Sequence, residues 1–359
     1  MQYKTLGNTG LLVSTLCFGA MTFGGTGRFK FVGGSGQEEA DELIKTCVDG
    51  GINFFDTADI YSDGRSEEIL GQSFKNLGVP RNELVIATKC FGRTGPGYND
   101  IGGSRKHIMD AVDASLRRLQ VDYIDLYQIH GTDSITPMEE TLRALDTLVN
   151  SGKVRYIGCS NWQAWRFAKA LCLSEYKNLA RFDSLQAYYS IAGRDLEREL
   201  VPLLESEKTG LMVWSPLAGG LLSGKFNRQN QQPEGTRRSQ FDFPIVDKER
   251  TWNIIDVMAP IAKAHDCSIA QVSLAWLLSK PVVTSVIIGA RTFSQLEDNL
   301  KSVQVKLSAA EIAALDAVSV LPPEYPGWML QMQDMGRLDP KIDMAAILAE
   351  HSKELARKA

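Results

Sequence analysis

The sequence predicts an α/β fold of the closed (β/α)8 TIM-barrel type. Short apolar runs rich in β-branched and aromatic residues recur eight times, and segments with helical spacing lie between them. The runs start mostly at intervals of roughly 26 to 40 residues, one strand and one helix each. The runs are near-continuous rather than alternating, as expected of parallel strands covered on both faces. A doubly wound sheet is the alternative packing of the same elements.

Taken in order, "YKTLGNTGLLVS" reads as an N-terminal β-hairpin turned at Asn8-Thr9-Gly10, placed to plug the barrel bottom. "TLCFGA" from Thr15 is the first barrel strand. The long loop after it, "TFGGTGRFKFVGGSG", has glycines but no βαβ fingerprint around them, so they are loop glycines. "NFFDTA" from Asn53 and "LVIATK" from Leu84 are the second and third strands, and the Gly-rich loop "FGRTGPGYNDIGGS" follows from Phe91. In "SRKHIMDAVDASLRRLQ" the residues Ile108, Val112, Leu116 and Leu119 share a helical stripe. "IDLYQIH" from Ile124 is the fourth strand, and "PMEETLRALDTLVNSGK" repeats the stripe with Met138, Leu142, Leu145 and Val149. "VRYIGCS" from Val154, "SLQAYYS" from Ser184, "LMVWSP" from Leu211 and "TSVIIGA" from Thr284 complete the eight. The loop from Leu217 to about Arg250 is the longest, and its "NRQNQQPEGTRRSQ" is expected to be mobile and solvated. A helix, a second helix with a Ser308-x-x-Glu311 capping box and a Pro-rich tail from Leu321 close the chain. Residues 1–359 thus read as a single barrel domain, with the barrel at about 15–319 and the tail at 320–359.

The 39 basic and 43 acidic residues give a net charge of −4 with no long run of one sign, which argues against nucleic acid or an acidic membrane surface as partner. A small molecule is the expected partner; homo-oligomerisation is left open. Cys17, Cys47, Cys90, Cys159, Cys172 and Cys267 form no CxxC pair and sit inside apolar runs, which suits buried reduced thiols. Neither a signal peptide nor a membrane span is evident, so a cytoplasmic protein is expected.

In such a barrel the chemistry lies where strands end at the C-terminal face. Strand two ends at Asp56, strand three at Lys89, strand four at His130 and strand five at Ser160-Asn161; strand six carries Gln186. Tyr61 follows Asp56 by five residues. These groups suit carbonyl reduction. A nearby Lys89 ammonium would lower the pKa of the Tyr61 phenol, Asp56 would orient the lysine, and His130 would hydrogen-bond a substrate carbonyl. The other acids of the stretch, Asp59, Asp63, Glu67 and Glu68, read as a solvated turn and an acidic first helical turn, without chemistry. Cys90 and Cys159 alternate to the other face and read as small packing residues.

The blocks "DTADIYSDGRSEEILG", "ATK", "QIH" and "GCSNW" resemble the signatures of the aldo-keto reductase family, in order and over roughly Tyr3 to Ser319. The resemblance implies an NADPH-dependent reductase of aldehydes or ketones with a tetrad of Asp56, Tyr61, Lys89 and His130, Tyr61 being the general acid, and no metal. It also implies that Ser160, Asn161 and Gln186 hold the nicotinamide carboxamide, that Trp214 stacks on its ring, and that Met21 belongs to the same site. Ser215, Leu217, Gly219 and Lys225 would contact the pyrophosphate. Gly289, Arg291, Gln295, Asp298 and Asn299 would hold the adenosine half. Thr292-x-x-Gln295 adds a physical reason, a helix start that favours phosphate, and Arg291 beside it favours the 2′-phosphate of NADP over NAD. Trp at position 214 resembles the branch of voltage-gated potassium channel β subunits and related bacterial reductases, which keeps open an NADP(H)-binding regulatory subunit with little turnover. A barrel glycosidase is a weaker reading, because Asp56 is the only carboxylate found closing a strand. Phe23, Phe29, Phe91 and Trp162 are candidates for an apolar substrate pocket.

Overall fold

The first two strands, β1 (Tyr3–Thr5) and β2 (Leu12–Ser14), pair antiparallel with Tyr3 opposite Ser14. Their turn is held by Leu6 N–H donating to Leu11 O at 2.9 Å. Gly7 is required there: its φ is +58°, and a Cβ would lie 2.6 Å from Asp183 O and 2.7 Å from Gly210 N. The hairpin sits on the barrel bottom as expected, with Leu6 and Val13 buried among the inward side chains Cys17, Phe54, Val85, Ala87, Leu126, Met212 and Ile287. Asn53, just before the second barrel strand, ties the hairpin down by accepting from Ser14 N–H at 2.8 Å and donating to Leu12 O at 3.0 Å. The computed structural model describes residues 1–330 except 31, 235, 237, 239 and 240; beyond 330 it describes only 333, 341, 343, 346 and 349. Part of the expected mobile stretch "NRQNQQPEGTRRSQ" therefore lies outside the described residues.

Eight parallel strands close the barrel: β3 (Leu16–Gly19), β4 (Phe54–Asp56), β5 (Val85–Cys90), β6 (Ile124–Ile129), β7 (Val154–Ser160), β8 (Ser184–Tyr188), β9 (Gly210–Trp214) and β10 (Val283–Ile288), with β10 bonded to β3. The helices are α1 (Gln37–Asp49), α2 (Arg65–Asn76), α3 (Arg105–Leu119), α4 (Met138–Asn150), α5 (Ala164–Lys177), α6 (Leu200–Glu207), α7 (Lys248–Ala264), α8 (Ile269–Leu278), α9 (Phe293–Lys301) and α10 (Ala309–Val318). Two of them, α7 and α8, occupy the seventh unit, which explains the long interval before β10. Helix α8 has buried residues all around rather than one stripe. The capping box of α10 forms in full, with Ser308 Oγ accepting from Glu311 N–H and the Glu311 carboxylate accepting from Ser308 N–H.

The period-two alternation of the strands decides what faces the barrel axis. Cys17, Phe54, Val85, Ala87, Leu126 and Met212 form the inner layer near the bottom. Two residues further on, the same parity brings Asp56, Lys89, Gln128 and Trp214 to the top. Cys90 and Cys159 fall on the outer face, buried against the helices as expected. Cys172 and Cys267 depart from the expectation of six buried thiols: Cys172 lies exposed on the solvent side of α5, and Cys267, between α7 and α8, is only partly buried. All six cysteines are free. Residues Met1–Ser319 form one compact unit and Val320–Ala359 a second. Among the described residues no helix is long and apolar enough to cross a membrane.

Candidate active site

Asp56 and Lys89 meet because β4 and β5 are neighbours in register, Asp56 opposite Ala87, and both side chains point inward. Lys89 Nζ donates to Asp56 Oδ1 at 2.5 Å, to Thr57 O at 2.7 Å and to Tyr61 Oη at 3.3 Å. The lysine side chain is 0% and the aspartate side chain 4% exposed, so the ion pair is fully desolvated. His130 follows β6 with its N–H on Cys90 O at 2.9 Å, and its ring lies edge-on to Tyr61 with centroids 5.7 Å apart. Asp56, Lys89 and His130 from three strand ends, with Tyr61 from the turn after β4, are therefore one cluster.

Tyr61 is presented by a tight 3-10 turn, Tyr61–Gly64, in which Ser62 (φ 50°) and Asp63 (φ 57°) are left-handed. Ser62 holds that turn to the loop after β3. Its hydroxyl accepts from Gly25 N–H at 3.0 Å and donates to Phe23 O at 2.9 Å, while Thr26 Oγ1 donates to Ser62 O at 2.9 Å. The docked loop lays Phe29 edge-on against Tyr61 at 5.2 Å. Of the other candidate pocket residues, Phe91 is partly exposed at the top of β5. Phe23 is wholly buried against Phe18, and Trp162 is buried against Phe182 with its indole N–H on Gly131 O at 2.8 Å. Those two pack the core rather than face solvent.

The electrostatics correct one expectation. Burial is the largest influence on Tyr61 and raises its pKa above the ordinary phenol value; Lys89 pulls it down but does not prevail, and Asp56 adds to the rise. Tyr61 is thus held as a neutral phenol. Burial acts to lower the Lys89 pKa, but Asp56 and Tyr61 outweigh it and the net direction is up, so the ammonium is retained. The reading of Asp59 and Glu67 as solvated acids is also overturned, since they are 2% and 0% exposed. Glu67 accepts from Thr88 Oγ1 at 2.5 Å and from Arg118 Nε at 2.6 Å, partners on β5 and α3. The oxygens of Asp59 meet no donor of good geometry, and burial together with Glu67 drives its pKa well above the carboxylate range. Asp63 is exposed, and Glu68 pairs with Arg65 at 2.7 Å on the surface, as expected.

The expected nicotinamide residues also converge. Asn161, left-handed at φ 61°, donates to Ser160 Oγ at 3.0 Å and accepts from Trp214 Nε1 at 2.9 Å. Trp214 stacks on Phe243 at 5.8 Å and is tilted against Tyr188 at 5.2 Å. Gln186 Nε2 donates to Asp56 Oδ2 at 3.0 Å and to Gln128 Oε1 at 3.3 Å, while Gln128 Nε2 donates to the same Asp56 Oδ2 at 3.1 Å. Gln128 was missed from sequence, although it has the parity of His130 and sits opposite Lys89 in register. Ser215 Oγ accepts from Gly219 N–H at 2.9 Å, closing a turn in which Ser215, Ala218, Gly219 and Gly220 all have positive φ. Leu217 lies in that turn, and Lys225 is exposed beyond it. Arg238, also missed, is buried and clamps the turn through Ala218 O at 2.6 Å, Pro244 O at 3.1 Å and Asp242.

At the top of β10, Thr292 caps α9 by accepting from Gln295 N–H at 3.3 Å, while Gln295 Oε1 accepts from Arg291 N–H at 3.0 Å. Asn299 Nδ2 reaches Gly289 O at 3.4 Å. Asp298 turns to α8 instead, accepting from Ser268 Oγ at 2.7 Å and Gln271 Nε2 at 2.6 Å. Met21, half-buried, lies in the short turn after β3, whose Thr22 Oγ1 donates to Ala290 O at 3.4 Å.

A model of the Aldo/keto reductase family matches residues 15–320. The chain belongs to the aldo/keto reductase family. This aldo/keto reductase is 40% identical over 316 residues to a probable voltage-gated potassium channel subunit beta of Arabidopsis thaliana, covering 85% of this chain and 92% of the relative. It is 36% identical over 345 residues to versiconal hemiacetal acetate reductase of Aspergillus parasiticus, covering 91% and 99%. It is 36% identical over 340 residues to YrpG, an uncharacterised oxidoreductase of Bacillus subtilis, covering 91% and 100%. It is thus an oxidoreductase of a family that generally works with NAD(P)H.

Proposed function

We propose that this protein reduces an aldehyde or ketone to the alcohol with NADPH, Tyr61 giving the proton to the carbonyl oxygen. The observation that carries the reading is the buried Asp56–Lys89–Tyr61 chain, with contacts of 2.5 and 3.3 Å. When bound, the reduced nicotinamide supplies a hydride to the carbonyl carbon. His130 directs the carbonyl oxygen toward Tyr61. The phenol O–H breaks as the oxygen takes the proton, and the phenolate left behind lies against the Lys89 ammonium, which Asp56 and Thr57 O hold in place.

The residues fit such a dinucleotide. Both N–H groups of Gln186 are committed to Asp56 and Gln128, so its Oε1 is left to accept from a carboxamide NH2. Asn161 and Ser160 stand beside it, and Arg291 at the Thr292-capped start of α9 suits a 2′-phosphate. Residues 15–319 are the proposed catalytic barrel and 320–359 an appended tail. The six free cysteines support a cytoplasmic setting.

The test is loss of NADPH absorbance with a panel of aliphatic and aromatic aldehydes and ketones. Tyr61→Phe should retain cofactor binding and lose about 10²- to 10⁴-fold in kcat; unchanged turnover would refute the assignment. A second reading, an NADP(H)-binding subunit with little turnover, draws on the plant relative named as a probable potassium channel subunit. Tight NADPH binding with no reduction across the panel would favour it.

A further inference from the structure

We infer that Gln128, which no strand-end pattern pointed to, is a positioning residue that fixes the orientation of Gln186 and through it discriminates a carboxamide-bearing cofactor. Gln128 is wholly buried at the barrel centre, on the inward face of β6, where an apolar residue would pack as in the layer below. It forms instead one corner of a closed triangle. Asp56 Oδ2 accepts from Gln128 Nε2 at 3.1 Å and from Gln186 Nε2 at 3.0 Å, and Gln128 Oε1 accepts the second N–H of Gln186 at 3.3 Å.

A primary amide has two donors on one side and an acceptor on the other. With both donors of Gln186 taken, its amide has one orientation. Rotated by 180°, it would set its carbonyl oxygen against the Asp56 carboxylate and the Gln128 carbonyl, three acceptors facing one another without a proton. Asp56 alone could engage only one Gln186 N–H and would leave the side chain free to pivot about that bond; the Gln128 carbonyl removes the pivot. Gln186 Oε1 is therefore held ready as an acceptor, at no cost in reorganisation when a donor arrives. Asp56, which shares the triangle, pairs Lys89 through its other oxygen, so the same Gln128 joins the reaction centre to the cofactor side.

The inference rests on the proposed reading that NADP is the cofactor and Gln186 meets its carboxamide, and the test separates the two. Isothermal titration calorimetry would compare NADP with its 3-acetylpyridine analogue, in which a methyl replaces the carboxamide NH2, on wild type, Gln128→Met and Gln128→Asn. Methionine fills the space without an acceptor; asparagine keeps an amide but is one methylene too short to reach Gln186. Wild type should prefer NADP about three- to tenfold, the size of one neutral hydrogen bond. Both variants should bind the analogue as wild type does and lose most of that preference. A merely structural role for Gln128 would weaken both ligands equally, so an unchanged preference in either folded variant overturns the inference alone. Equal binding of the two ligands by wild type overturns the Gln186 contact with the inference, and binding of neither overturns the cofactor reading itself.

Discussion

Replacing Lys89 by Met removes the ammonium from the barrel centre while nearly conserving volume. The side chain it replaces is 0% exposed and donates to Asp56, Thr57 O and Tyr61. What remains is a carboxylate only 4% exposed, with one oxygen stripped of its partner. Leaving half of a buried ion pair costs about 3–5 kcal/mol. The two glutamine amides that still reach Asp56 Oδ2 place the expected loss at the lower end, about 3 kcal/mol, a large part of a typical unfolding free energy. Guanidinium unfolding of wild type, Lys89→Met, Asp56→Asn and the double variant measures it as a cycle. The double variant, which buries no charge, should recover at least half of the loss. A second signature comes from the sign of the shifts. Lys89 and Tyr61 both have raised pKa values, so the folded state holds their protons more tightly. That stability is present below their ordinary values of 10.5 and 10.0 and is lost as pH rises beyond them. Wild type should therefore lose stability above about pH 10 more steeply than the double variant. A loss below about 1 kcal/mol in Lys89→Met, or no rescue by Asp56→Asn, would refute the claim that this pair is buried and strongly coupled.

Three further outcomes are expected. Asp59→Asn should approach or exceed wild type in stability at neutral pH, because burial and Glu67 raise the Asp59 pKa; its contribution is full at acid pH and lost as pH rises. Urea melts at pH 4.5 and 8 should show the variant gaining on wild type by about 1–3 kcal/mol at the higher pH. Gly71→Ala would set a Cβ 2.3 Å from Leu119 O where α2 crosses α3, and should cost about 1–3 kcal/mol, read as a lower thermal midpoint with unchanged far-ultraviolet circular dichroism. If Tyr61 is the acid, kcat for reduction should stay flat through neutral pH and fall only above the ordinary phenol value, while alcohol oxidation should climb with pH, as separate pH–rate profiles would show.

The barrel was legible because buried parallel strands leave a strong local trace, and the period of two then carried Asp56, Lys89 and the residues after β6 and β7 to one side of the sheet. Tyr61 needed two other strands to gain meaning, and the reading of strand ends supplied them. Gln128 lies two residues before His130, but a polar residue inside an apolar run announces no partner until register sets it beside Lys89 and across from Gln186. Asp59 and Glu67 were misread for a related reason. A carboxylate in a first helical turn has a sufficient local explanation in the helix dipole, whereas the burial of Glu67 is decided by Arg118, 51 residues further along. Helix α8 left no stripe because it is covered on all sides, and the loop that docks Phe29 on Tyr61 is held by the hydroxyls of Ser62 and Thr26, whose partners lie 36 to 39 residues away.

The two aspartates of one short segment illustrate how position, not composition, assigns chemistry. Asp56 ends β4 pointing inward, where an ammonium at 2.5 Å and two amides satisfy both oxygens, so it serves as a fixed negative charge. Asp59, three residues on, lies near Glu67 and Arg118, where burial and the Glu67 carboxylate push its pKa well above the carboxylate range. The proposed reaction centre thus holds the Lys89 ammonium and the Asp56 carboxylate as a buried pair, with the Tyr61 phenol and the His130 ring beside them. The opposite charges of such a buried pair largely cancel at a distance, so the pair is not a general attractor for charged groups. On the proposed reading it responds instead to the charge that develops on a carbonyl oxygen during reduction, which the Lys89 ammonium and the Tyr61 proton would meet.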